Sequence, residues 1–430
     1  MSTENTSTQT AGTQTTGSQE VRTDVLIIGA GPAGLTAART LAERTSYQVT
    51  VVEREPRAGG IPRHSDHTGY GIRDKHTITT GPKYARRLVA EAEDAGAAIT
   101  TQAMVTDWAG ANSLWLTSPG GRTRLETSAT LLTTGARERP RPARMIPGGR
   151  PAGVYTTGEL QNAVHLHHQP VGTRAVILGA ELVSWSAVLT LKEAGCRTET
   201  LITAHRSPES YALFNLGGRI ALRTPVATRH RVTKILGRQR VSGVEVEDQR
   251  TGRRRVIECD TVITTGDWIP DHELARSAGI ALDPGTAGPL VDAVARTDRQ
   301  GVFAAGNLVH PVDTADVAAL GGQHAARAVQ RYLEYGLPEG PRVPIGVAAP
   351  FRWATPGVYQ PGLPAPARGR LQTWVHDVVR IPRIAVRQDG RVLTRRTIPW
   401  PASPGRVFRL PWDLLDGVDG RGGPVELSLS

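Results

Sequence analysis

The chain has 430 residues, 39% of them apolar and 21% charged, a globular composition long enough for about three ordinary domains. Its formal charge of +11 invites a nucleic-acid reading, but Arg supplies 47 of the 51 basic residues and no nucleic-acid module signature is present, so no nucleic-acid partner is expected. No apolar run approaches the ~18 residues a membrane-spanning helix needs, and two cysteines, Cys196 and Cys259, without metal or redox-pair spacing suit a reducing cytoplasm.

The opening "MSTENTSTQTAGTQTTGSQE" is rich in Ser, Thr and Gln, with no basic cluster and no apolar core. It is neither a secretory signal nor a transit peptide, and residues 1–20 are expected to form a disordered tail. Asp24–Gly29 is then an apolar β-type run entering Gly29-Ala-Gly31-Pro-Ala33-Gly34, with a helical pattern over Leu35–Glu43. A second β run, Val49–Val52, ends at Glu53, nineteen residues after Gly34. Strand, Gly-rich turn, helix, strand and acid form the complete dinucleotide cradle. Gly29 makes the tight turn, Gly31 admits the pyrophosphate, Gly34 lets helix and strand pack, and Glu53 can accept from a ribose diol.

Two later stretches say which dinucleotide. "LLTTGARERP" (Leu131–Pro140) resembles the second flavoprotein turn, with Thr134-Gly135 ending a strand beneath the cofactor. "TDRQGVFAAGNLVH" (Thr297–His310) resembles the third, with Gly306-Asn307 at the ribityl chain and a helix from Ala315 facing the flavin. Over Asp24–Tyr332 the chain thus resembles the glutathione-reductase-like flavoproteins with two dinucleotide-binding domains. Asn307 stands where that superfamily more often has Asp. The resemblance implies non-covalent FAD, and the candidate contacts are Gly29, Gly31, Ala33, Gly34, Glu53, Arg54, Gly60, Val105, Thr134, Gly135, Gly306 and Asn307. The fold class expected is α/β, with two Rossmann-like (βαβ) dinucleotide-binding domains, the second inserted in the first, plus a small β-rich C-terminal domain. The boundaries expected are 21–150 and 266–336 for the FAD-binding domain, 151–265 for the inserted NAD(P)-binding-like domain and 337–430 for the C-terminal domain.

The best-known members of that superfamily carry a dithiol beside the flavin. Neither cysteine here has a partner at CxxC or CxxxxC spacing, which reads as an exclusion of disulfide-reductase chemistry, both residues being simply buried. After Glu53, Gly59-Gly60 would let the chain pass close to the flavin, followed by Arg63, His64, Asp66, His67, Tyr70 and Arg73. Three readings of this cluster stand side by side. A metal site has the ligand types but lacks a closing ligand, so none is expected; a polar surface loop is the bland reading. A substrate pocket would use Arg63 or Arg73 to bind a carboxylate and His64, or else His67, to take a proton.

The second cradle, "VILGAELVSWSAVLTLKEAG" (Val176–Gly195), repeats the design with Glu181 and Ser184 where the first has Gly31 and Gly34; Gly179 matches Gly29. Glu181 adds bulk and charge where a pyrophosphate would sit, and "TLITAH" after the second strand offers no acid for a ribose. NAD(P) binding is therefore doubtful; His205 and Arg206 leave NADP less excluded, and a mononucleotide such as ATP is a further alternative. This turn, with "GGIPRHSDHTGYGIRD" and "TTGARERPRPARMIPGGRPAGVYTTGELQN", is similar to FAD subunits of opine-oxidase, hydrogen-cyanide-synthase and dye-linked proline-dehydrogenase type. That resemblance implies an FAD-dependent dehydrogenase or oxidase of a small amine or amino acid, partnered by an iron–sulfur subunit or a second flavoprotein. The alternatives are an NAD(P)H-dependent flavin reductase and a non-catalytic, FAD-containing binding subunit. From Pro341 to Ser430, 13 Arg stand against six acids and four of the eight Trp occur, which suits either a small β-rich core or a docking surface.

Overall fold

The structure, a computed structural model, describes residues 19–311 and 313–430. The tail expected over 1–20 lies outside the described residues as far as 18; Gln19 and Glu20 already belong to the first strand, Gln19–Ile28. Val25 and Ile27 face one buried core of that strand's sheet and Leu26 and Ile28 the other, so the run is apolar throughout, as a parallel strand covered on both faces must be. Five parallel strands lie in the order Ala98–Thr100, Val49–Val52, Gln19–Ile28, Gly121–Leu132, Val302–Ala304. An antiparallel meander, Met104–Trp108 and Ser113–Ser118, continues along the first half of Gly121–Leu132.

The helix Pro32–Arg44 starts on a proline, whose missing N–H costs nothing there, and buries Leu35, Ala38 and Leu41 at helical spacing. Helix Ala315–Tyr335 lies against it so closely that a Cβ on Gly322 would collide with the Ala33 carbonyl. Helix Gly81–Asp94 buries Tyr84, Leu88 and Ala92, and the Tyr84 hydroxyl donates to Asp74 at 2.6 Å.

The inserted unit has its own parallel sheet, ordered Val154–Thr156, Thr261–Thr264, Arg174–Leu178, Arg197–Ile202, Val226–Ala227, with the helix Leu182–Glu193 packed on it. A three-stranded antiparallel sheet, His230–Gly237, Val241–Asp248 and Arg254–Ile257, is appended. The chain enters and leaves this unit through one two-stranded ribbon, Ala136–Glu138 paired with Trp268–Pro270. The C-terminal region forms a five-stranded and a three-stranded sheet around a core that includes Phe351, Leu371, Val386 and Leu427. Of its tryptophans, Trp353 is buried and stacked with Trp374 at 6.3 Å, and Trp400 is exposed. Among the described residues no helix is long and apolar enough to cross a membrane.

Candidate functional site

The first cradle is held open by its own backbone. Gly29 has φ +105°, and a Cβ there would lie 2.6 Å from the Thr133 carbonyl. Gly34 is packed against the Gly29 carbonyl, whereas the space above Gly31 is empty to 4 Å. Gly31 is the N-cap of Pro32–Arg44 and brings no side chain to cap it, so the helix N-terminus faces that space unsatisfied. Glu53 is buried; its Oε2 accepts from the Ala30 N–H and its Oε1 from the Glu55 N–H, both at 2.9 Å, so it ties the glycine turn to the second strand. Gly60, with φ +62°, crosses the cradle so that a Cβ would sit 2.9 Å from the Gly31 Cα. Gly306 lies against Ala33, 2.8 Å from a Cβ at 306 to the Ala33 Cβ, and nothing lies within 4 Å of Gly135. These turns converge on an anion-accepting helix start bordered by open backbone, which fits the pyrophosphate and ribose of a dinucleotide.

Other candidate contacts have protein partners of their own. Arg54 donates to Asp271 at 3.1 Å, and Thr134 Oγ1 donates to the Asp271 carbonyl at 2.7 Å. Val105 buries its side chain in the core beneath the sheet. Both ends of the Asn307 amide are engaged by Asp313, whose N–H donates to Oδ1 at 3.1 Å and whose carbonyl accepts from Nδ2 at 3.2 Å.

In the loop after Gly60 the structure departs from a polar surface. His64 is 8% exposed, its Nδ1 has no hydrogen-bond partner, and burial, then the charge of Arg63, pushes its pKa down to about 4. Gln161 and His165 of the inserted unit are its neighbours. His67 is not brought to it: its Nε2 meets Ser65 Oγ at 3.0 Å and its Nδ1 meets the Thr68 carbonyl at 2.8 Å. Arg63 is mostly buried, with Glu55 at 3.8 Å. Arg73, the other candidate for a carboxylate, is committed to Asp316 at 3.0 Å, and its N–H also donates to that carboxylate.

The second cradle is filled from within. Glu181 is the N-cap of Leu182–Glu193; its N–H donates to Ser184 Oγ at 3.1 Å, and its Oε2 accepts from Ser184 Oγ at 3.2 Å and from Thr265 Oγ1 at 2.8 Å. Gly179 has φ +132° as its counterpart does, and Gly266 lies over the Glu181 carboxylate, 2.8 Å from a Cβ to Cδ. The reading of "TLITAH" found no acid, but Glu209 supplies one from farther along the chain, its Oε1 accepting from Thr203 Oγ1 at 2.7 Å. Burial, reinforced by Glu181, pushes Glu209 up to about 7, and burial does the same to Glu138. Arg144, donating to the Thr265 and Gly266 carbonyls at 2.9 and 2.5 Å, is the cation of this cluster. One local signal pointed here: Thr133-Thr134-Gly135 recurs as Thr264-Thr265-Gly266 at the end of the corresponding strand. Glu138, Arg144 and Glu209 carry no such signal.

Two turns of this design, each on its own parallel sheet, define a protein with two dinucleotide-binding-type domains. The chain belongs to the pyridine nucleotide-disulphide oxidoreductase family, whose model matches residues 23–328. It binds FAD non-covalently, as the resemblance read from the three glycine turns implied. One of the subunits of opine oxidase from Agrobacterium tumefaciens is 28% identical over 340 residues, 71% of this chain and 65% of that protein. The chain thus spans less than two thirds of the length of that relative. Thioredoxin reductase of Treponema pallidum is 26% identical over 72% of this chain and 97% of its own length. The crystal structure of T. acidophilum thioredoxin reductase superposes with a TM-score of 0.61 at 22% identity, covering 72% of this chain and 97% of that one.

These relatives overturn the exclusion of disulfide-reductase chemistry. Spacing along the chain speaks only to a dithiol held on one turn, whereas thiol–disulfide exchange needs sulfurs that meet in space, from whatever source. Cys196 and Cys259 are buried free thiols, pushed by burial up to about 11 and about 12.

Proposed function

We propose that the chain oxidises a small amine or amino acid at an FAD held by the first cradle and passes the electrons to a partner protein, an iron–sulfur subunit or a second flavoprotein. The observation that carries this reading is Glu181: the place where a nicotinamide pyrophosphate would rest is taken by a carboxylate that Ser184 and Thr265 hold there. At ~4 Å and an effective dielectric near 20, two like unit charges repel by roughly 4 kcal/mol, about a thousandfold in affinity. A hydride port closed to nicotinamide leaves the open face of the flavin cradle as the way in for a reducing substrate. The relation to one component of an opine oxidase supports both the amine-type substrate and the need for a partner.

FAD, when bound, supplies the two-electron oxidation of a C–H next to nitrogen. The chain supplies orientation and proton handling. With a pKa of about 4, His64 is neutral at pH 7 and can hold the neutral form of a substrate amine by a hydrogen bond rather than carry its proton. Arg63 beside it disfavours a second positive charge and so favours the deprotonated amine.

The test is anaerobic flavin reduction by a panel of amino acids, amines, NADH, NADPH and a reduced dithiol. Bleaching by an amine or amino acid is expected. Disulfide reduction is the second reading, favoured by the likeness to thioredoxin reductases along nearly their whole length. Bleaching by NADPH or the dithiol and by no amine would replace the first reading with the second.

A further inference from the structure

A cavity opens between the third glycine turn and the C-terminal region. Gly306 and Ala318 line one side, Pro356, Arg368 and Arg370 the other, and His310 also lines it. Around it four guanidinium groups face two carboxylates. Arg73 is paired with Asp316 and Arg409 with Asp313, and Gln372 Nε2 also donates to Asp313 at 2.9 Å. Both carboxylates are therefore matched. Arg368 and Arg370 have no ion pair and no side-chain hydrogen bond among the described residues, so the cluster carries uncompensated positive charge. Partial desolvation, and then the charges of Arg409 and Arg73, disfavour the charged form of Arg368, against the opposite pull of Asp313 and Asp316, and the residue keeps an exposed face. Four guanidinium groups sharing two carboxylates at a cavity wall lower their energy by taking up a further anion.

His310 provides a second, independent sign. It is 9% exposed, packs on Trp353 at 5.7 Å, and leaves its Nδ1 buried with no hydrogen-bond partner. Such an atom costs free energy unless something in the cavity bonds to it. The start of helix Ala315–Tyr335, the end that the glycine-turn resemblance turns toward the flavin, borders the same space.

We propose that this cavity is the carboxylate-binding subsite of the substrate pocket, with Arg368 as its principal cation and Arg370 beside it. The C-terminal region is then part of the substrate site, and the preferred substrates are amines that carry a carboxylate. This rests on the amine-oxidising reading for the identity of the ligand, but anion binding itself can be measured without any oxidation.

Arg368 has φ +62°, a conformation in which glycine is favoured, so Arg368→Gly removes the guanidinium at no backbone cost. The flavin-loaded chain is titrated calorimetrically with propionate and with its neutral isostere propionamide. Saturable binding of propionate alone is expected, weakened at least tenfold in Arg368→Gly and in Arg368→Gln. Arg395→Gln, on an exposed strand position, should bind as the wild type does. Absence of saturable propionate binding, equal binding of propionamide, or unchanged affinity in the Arg368 variants would overturn the subsite. If propionate binds through Arg368 while no amine bleaches the flavin, the oxidation reading fails and the anion site stands. If an amino acid bleaches the flavin with an unchanged KM in Arg368→Gly, the reverse holds.

Discussion

Gly405, in the C-terminal region, and Glu181, in the second cradle, are packed so closely that a Cβ at 405 would lie 3.0 Å from the Glu181 Cγ and 2.5 Å from the Glu209 Cβ. The next residue, Arg406, stands over the Tyr211 ring at 4.8 Å. The second cradle is thus occupied by its own carboxylate and also covered by a loop from another part of the chain. Stopped-flow mixing with NADH or NADPH should reduce the flavin slowly or not at all. Glu181→Gly should recover much less than the roughly thousandfold affinity that charge removal alone would return, because the Gly405 loop stays in place. Wild-type reduction at micromolar nicotinamide would contradict this.

Gly31 and Gly34 separate cofactor binding from folding. A Cβ at 31 meets nothing within 4 Å, so Gly31→Asp should fold, with a thermal midpoint close to that of flavin-free wild type, and purify colourless because its carboxylate takes the pyrophosphate position. Gly34→Ala drives a methyl into the Gly29 carbonyl and should yield little folded protein. A yellow Gly31→Asp with a normal flavin spectrum would place FAD elsewhere.

His64→Ala should keep the flavin and slow its reduction by substrate about 10²-fold. The folded pKa of about 4 lies below the ordinary 6.5, so the rate should show no His64 limb between pH 5 and 8. The unfolded chain takes up this proton first. Stability from His64 is therefore complete above pH 6.5 and is lost, by about 3 kcal/mol, as pH falls toward 4. Denaturant titrations of wild type and His64→Ala across that range read the difference; parallel curves would return His64 to an ordinary loop position.

Glu209 has the opposite sign. Its folded pKa of about 7 exceeds the ordinary 4.5, so its contribution is complete below pH 4.5 and is lost as pH rises through 7, again by about 3 kcal/mol. Glu209→Gln keeps an acceptor for Thr203 and needs no ionisation, and it should flatten the fall in stability between pH 5 and 8. A variant with the wild-type pH dependence would show that Glu209 ionises freely.

The first cradle was legible because each of its requirements is local. A turn with φ +105° at Gly29, a helix starting on Pro32 and an acid at the end of the next strand all fall within thirty residues, and periodicity reports them directly. The fault in the second cradle was equally visible, since one residue type at one motif position alters both volume and charge. The charge environment around that fault was not legible, because Glu138, Arg144, Glu209 and Gly405 reach Glu181 only when the ribbon, the inserted sheet and the C-terminal region are in place. The same limit applied to the loop after Gly60. Its residue types are those of a solvated surface, and burial of His64 against the inserted unit is a property of packing between segments about a hundred residues apart. Arg73 and Arg368 were indistinguishable as arginines, and only the folded chain gives one of them Asp316 as a partner and leaves the other facing a cavity. Local chemistry determined what this chain can cradle. Long-range packing decided which charges are neutralised, because desolvation and ion pairing depend on neighbours that sequence order does not reveal.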